Sequence, residues 1–168
     1  MLNNYIRYIL LFFLLVFVQI CILNKIHLFG VITPLIYVYF ILKLPTNISL
    51  SLVLLWSFFL GFFLDFFSYS MGLNMIAATF TGFLRSYLLR MHTSRDIVEL
   101  LTPSIQSMDT FSFMRYAFWM ILLHHALLFM VDAGSFYDAG MLALKIAGSS
   151  GCTLILVMGC EALNTKKQ

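Results

Sequence analysis

Charge is the scarcest property of this sequence. Only 10% of its 168 residues are Asp, Glu, Lys or Arg, against about 25% in an ordinary soluble domain. So few charges cannot cover the surface of a water-soluble globule of this size. Cysteine is also rare. Cys21, Cys152 and Cys160 all lie in apolar runs, with no C-x-x-C spacing and no histidine pattern beside them. A zinc site and a redox motif are therefore not expected, and the three thiols read as small packing residues. No basic run marks a nucleic-acid partner, and the net charge is a modest +3. No A-x-A-like cleavage site follows the first apolar run, so that run reads as a retained span rather than a signal peptide. Internal repeats are absent, and no polar stretch is long enough for a soluble catalytic domain.

What is present is apolar. Hydrophobic residues make up 62% of the chain, and mean hydropathy is +0.98. A span needs about 20 such residues. Six runs qualify, over about 5–23, 28–44, 48–67, 71–91, 113–131 and 139–162. The sequence thus predicts a single all-α integral membrane domain of six helices, because backbone groups in lipid must be satisfied within the segment. Basic residues set the orientation. With six spans, Arg7, Lys43, Arg85, Arg90, Arg95, Arg115, Lys166 and Lys167 share one side, and only Lys25 and Lys145 take the other. Both termini are expected in the cytoplasm.

Few polar groups interrupt the spans. Asp65 is the most unusual, since a carboxylate at mid-span costs roughly 2.5–3.5 kcal/mol on insertion scales. Two readings stay open for it: a buried polar anchor or proton-linked site, and a helix-end carboxylate that reaches interfacial water. Gly61, one turn earlier, shares its face and admits a close helix. His124 and His125 are neighbours, and adjacent helical residues point about 100° apart, which rules out an i,i+4 metal pair. Interhelical hydrogen bonding is the expected role of both, and of Gln19. Arg85 and Arg90 read as anchors that reach lipid phosphates, or as a docking surface for a cytoplasmic partner. Asp96 and Glu99 form a capping-box-like pair that could open a short interfacial helix, ended by Pro103.

Two catalytic patterns fail. Gly148-Ser149-Ser150-Gly151 matches the G-x-S-G of rhomboid-type proteases, but no histidine follows Ser150. The stretch reads instead as a small-residue stripe for helix packing. Asp65 and Asp132 could both lie near the outer surface, yet the signature motifs of lipoprotein signal peptidase are missing. The eighteen Phe and eight Tyr suit lipid-facing and interfacial positions and identify no cofactor.

The ordered set of Gln19 late in the first span, Pro34 in the second, the Gly61/Asp65 pair, Gly72 and a fourth helix ending in arginine resembles the rod shape-determining MreD family, in its Bacteroidetes-type form. The stretches KIHLFGVITPLIYVYFILKLP, GFFLDFFSYSMGLNMIAATFTGFLR and HHALLFMVDAGSF carry the likeness. The resemblance implies a non-enzymatic inner-membrane scaffold of the cell-wall elongation complex. It implies binding to MreC, and work alongside MreB, RodZ, a SEDS glycosyltransferase and a class B penicillin-binding protein. It also implies a fold similar to ECF-transporter substrate-binding subunits, a groove open to the outer face, and a possible homodimer. Gln19, Pro34, Gly61, Asp65, Gly72 and Asn74 would then lie in the core or near that groove. The alternative drawn from the same fold is a vitamin-type transporter subunit using Asp65, Asn74 and His124.

Overall fold

The structure is a computed structural model that describes residues 2–26, 31–92, 102–133 and 138–165. Its elements are α1 (Leu2–Cys21), a short 3-10 turn (Leu23–Lys25), α2 (Val38–Lys43), α3 (Leu50–Ser68), α4 (Leu73–His92), α5 (Ile105–Met108), α6 (Thr110–Ala133) and α7 (Ala139–Thr165). No strand forms among the described residues. The fold is all-α. Arg95, Lys166, Lys167 and the Asp96–Glu99 pair lie outside the described residues. Pro103 is followed directly by Ser104, whose side chain caps α5.

Four stretches are long and apolar enough to cross a membrane: Ile6–Lys25, Leu50–Ser68, Thr110–Ala133 and Ala139–Asn164. The chain therefore reads as a membrane protein. The other two expected spans look different. α4 has 20 residues, but Asn74, Thr79, Thr81, Arg85, Ser86 and Arg90 dilute its apolar character. It sits between α3 and α6, where helical partners meet its buried Thr81 and Arg85.

The second run departs from the expected helix over 28–44. Residues 31–37 are not helical, and α2 has only 6 residues. Pro34 explains the break, because it has no N–H and pushes its predecessor out of the helical region. The freed backbone groups are satisfied by side chains of the long helices. Thr33 N–H donates to Ser149 Oγ at 3.0 Å, Leu35 N–H to Thr153 Oγ1 at 2.9 Å, and Ile36 N–H to Gln19 Oε1 at 2.9 Å. Gln19 Nε2 donates back to the Pro34 carbonyl at 3.1 Å. Irregular backbone is tolerated inside a protein when its polar groups are satisfied in this way.

This segment is the axle of the bundle. Tyr37, Val38, Phe40, Ile41 and Leu42 are all fully buried, as a stretch that is apolar all round should be. α2 touches α1, α3, α4 and α6, and it is bonded to α7 through Glu161. The long helices cover the axle on one face and expose apolar side chains on the other. On α3 the outward residues Phe58, Phe62 and Phe66 stack at one-turn intervals. α3 and α4 meet across small residues. A Cβ on Gly61 would fall 2.3 Å from Met75 Cα, and one on Gly82 would fall 2.4 Å from Ser57 Oγ.

Side-chain bonds mark the two ends. At one, Tyr8 bonds Thr102, Lys43 pairs with Glu161, and Arg85 reaches Leu44. Arg7, Arg90 and Arg115 belong to this basic end. At the other, Asn24 bonds Ser68, Asp65 bonds Asn74, and Asp132 pairs with Lys145 at 3.1 Å.

Candidate functional site

α3 ends where Tyr69 turns left-handed at φ 53°, and Gly72 follows at φ 82°. Gly72 suits that value because it has no Cβ. The same glycine stands at the start of α4 with no side chain to cap it, and its carbonyl takes the Ile76 amide. Asp65 supplies the missing cap from the neighbouring helix. Its carboxylate accepts from Asn74 N–H at 3.0 Å, Met75 N–H at 2.8 Å, Asn74 Nδ2 at 2.8 Å and Ser70 Oγ at 2.6 Å. Four donors and the positive end of α4 surround one buried carboxylate, the arrangement that stabilises an anion at a helix start. Gly61 makes the contact possible by letting the first turn of α4 lie directly on α3.

From Asp65 a line of bonds runs into the core. Asn74 Oδ1 accepts from the Tyr37 hydroxyl at 2.8 Å, and the Tyr37 oxygen lies 2.7 Å from His124 Nε2. His124 Nδ1 lies 3.0 Å from Thr81 Oγ1. The Tyr37 proton goes to Asn74, so His124 Nε2–H donates to the Tyr37 oxygen, while the Thr81 hydroxyl beside Nδ1 also has the Ala77 carbonyl as an acceptor at 2.7 Å. His125 serves the opposite wall. Its Nδ1–H donates to the Ile121 carbonyl at 2.8 Å, and its Nε2 accepts from Thr153 Oγ1 at 3.2 Å, the same hydroxyl that takes the Leu35 amide. The two histidines thus point apart, one bonded to α4 and the axle, the other to α7. Among the described residues no group of three His, Cys, Asp or Glu could hold a metal.

The basic end has its own buried charges. Lys43 Nζ lies 2.9 Å from Glu161 Oε1, and the Tyr39 hydroxyl donates to Glu161 Oε2 at 2.6 Å. The Ile105 amide also points at Oε1, at 3.3 Å. Arg85 is buried and donates to the Leu44 and Pro45 carbonyls. Those carbonyls close the C-terminus of α2, so the guanidinium acts as its cap. Arg90 is exposed. A groove of about 560 Å³ opens beside this end, lined in part by Arg7, Leu14, Lys43, Gln106, Glu161 and Asn164. It lies at the opposite end from Asp65 and Asn74.

Sequence reasoning singled out Gln19, Pro34, Gly61, Asp65, Gly72, Asn74, Arg85, Arg90, His124 and His125. The structure brings Gly61, Asp65 and Asn74 together, with His124 linked through Tyr37. Gln19 and Pro34 bond each other, Arg85 works at the other end, and Arg90 joins no cluster. Missed were Tyr37, Thr81, Thr153 and the Lys43–Glu161 pair. A signal existed for that pair. Lys43 is the lone cation of the second run, and Glu161 the lone carboxylate of the last. Intramembrane charges of opposite sign tend to find each other. Ser149 is engaged by Thr33, while the Ser150 hydroxyl is buried without a partner among the described residues.

The chain matches no protein-family model, no curated protein and no solved structure.

Proposed function

We propose that this chain is a multi-pass scaffold of the bacterial inner membrane, of the MreD type, which holds MreC within the cell-wall elongation complex. One observation supports it above the others. The buried carboxylates and histidines tie helices together: Asp65 to α4, His124 to Tyr37 and Thr81, His125 to Thr153, and Glu161 to Lys43 and Tyr39. Polar groups used this way hold the helices in fixed relative positions, which suits a protein whose outer faces are its working surface. In this reading the chain crosses the bilayer six times. The second crossing is the broken axle, shielded from lipid by the other five. The end that holds Arg7, Lys43, Arg85, Arg90 and Arg115 faces the cytoplasm by the positive-inside rule. The partners are MreC first, with MreB, RodZ, a SEDS glycosyltransferase and a class B penicillin-binding protein in the same assembly.

Depletion in a rod-shaped host tests the reading. Cells are expected to lose width control and round up. Retention of rod shape after full depletion would count against it. A vitamin-type transporter subunit would need Asp65, Asn74 and His124 free for a ligand. Their bonds to one another and to Tyr37 speak for the scaffold instead, and thermal shift against a vitamin panel is expected to be flat.

A further inference from the structure

The groove at the basic end combines a polar and an apolar surface. One is polar. Arg7 is exposed on α1 and makes no ion pair among the described residues. Gln106 and Asn164 are exposed beside the same groove. Lys43 and Glu161 neutralise each other at 2.9 Å, so Arg7 leaves the lining with a net positive charge. The other surface is apolar. Leu14 is 57% exposed and Leu163 is 69% exposed. Leu14 belongs to an outward stripe with Leu10 and Phe17, one turn to either side.

We infer that this groove binds one anionic phospholipid, its phosphate held by Arg7, Gln106 and Asn164 and an acyl chain laid along Leu14 and Leu163. Guanidinium and amide donors recognise phosphate by charge-assisted hydrogen bonds. A free phosphate would share that chemistry but would leave the two leucines against water. A lipid covers them, and anionic lipids gather at basic membrane surfaces. The inference rests on the membrane reading of the long helices. Recovery of the protein in the membrane fraction checks that reading separately.

The test is native mass spectrometry of the full chain, purified in mild detergent and delipidated. Phosphatidylglycerol or phosphatidylcholine is then added at equal mole ratio. A single phosphatidylglycerol adduct is expected to persist under activation that strips phosphatidylcholine. Arg7→Gln should weaken its retention about tenfold, the scale of one charge-assisted hydrogen bond. Asn164→Ala, at an exposed site, should weaken it less. Arg115→Gln, at the same end but outside the groove, should leave it unchanged. Equal retention of both lipids overturns the inference. So does an Arg115→Gln loss as large as that of Arg7→Gln, which would mean general surface attraction. Displacement of the adduct by millimolar inorganic phosphate would overturn the lipid assignment in favour of a soluble anion.

Discussion

The Asp65 carboxylate on α3 accepts the backbone amide of Met75 at 2.8 Å, in the first turn of α4. One side chain thereby caps a helix other than its own. Asp65→Ala would leave the Met75 and Asn74 amides without their acceptor, at a cost of about 1–3 kcal/mol per buried group. A clear drop in melting temperature in detergent is expected. Asp65→Asn keeps one oxygen acceptor and should lose less. Equal stability of all three proteins would contradict the capping role.

Gly61 is the steric partner of that cap. A methyl group there would overlap the Met75 backbone, with 2.3 Å between Cβ and Met75 Cα. Backbone cannot rotate aside as a side chain can, so Gly61→Ala should separate α3 from α4 and destabilise by about 1–3 kcal/mol. Gly159→Ala is the matched control, because nothing lies within 4 Å of its Cβ position. Melting curves of the pair should differ sharply, with Gly159→Ala close to the parent.

Lys43 and Glu161 form a buried pair, with side chains 7% and 2% exposed. Removing either partner leaves the other buried charge without this countercharge, a loss of about 3–5 kcal/mol in buried sites. Lys43→Met and Glu161→Gln should each be severely destabilising. The double variant should cost much less than the two losses combined. Simple additivity in this double-mutant cycle would show that the two charges do not interact.

The hydroxyls of Thr81 and Thr153 look alike in sequence but do different work. Interhelical hydrogen bonds in membranes average about 0.6 kcal/mol, which is the loss expected for Thr81→Val. Thr153→Val deprives both His125 and the Leu35 amide. Its effect should be distinctly larger, and hydrogen exchange at Leu35 should accelerate. Unchanged protection of that amide would mean it has another acceptor.

The long helices could be read from hydropathy because each exposes a continuous apolar face, and α1, α3, α6 and α7 start and stop close to their apolar runs. The run containing Pro34 could not be read the same way. Hydropathy registers that YVYFIL avoids water, yet burial in lipid and burial in protein give the same signal. Only the partners of the Thr33, Leu35 and Ile36 amides separate the two, and these lie in α1 and α7. The divergence of His124 and His125 followed from helical geometry alone. Their partners did not, because Tyr37 and Thr153 are 87 and 28 residues away. Asp65 stood out as an intramembrane carboxylate, but its role depends on the turn through Tyr69 and Gly72, whose left-handed backbone brings α4 back onto Gly61.

Co-purification with MreC tests the central claim most directly. The tagged chain is to be extracted from native membranes in a mild detergent, and the eluate probed for MreC. The scaffold account predicts stoichiometric recovery of MreC, reduced in Gly61→Ala, where the helix framework is disturbed. Absence of MreC from the eluate of a folded, membrane-extracted chain would contradict it.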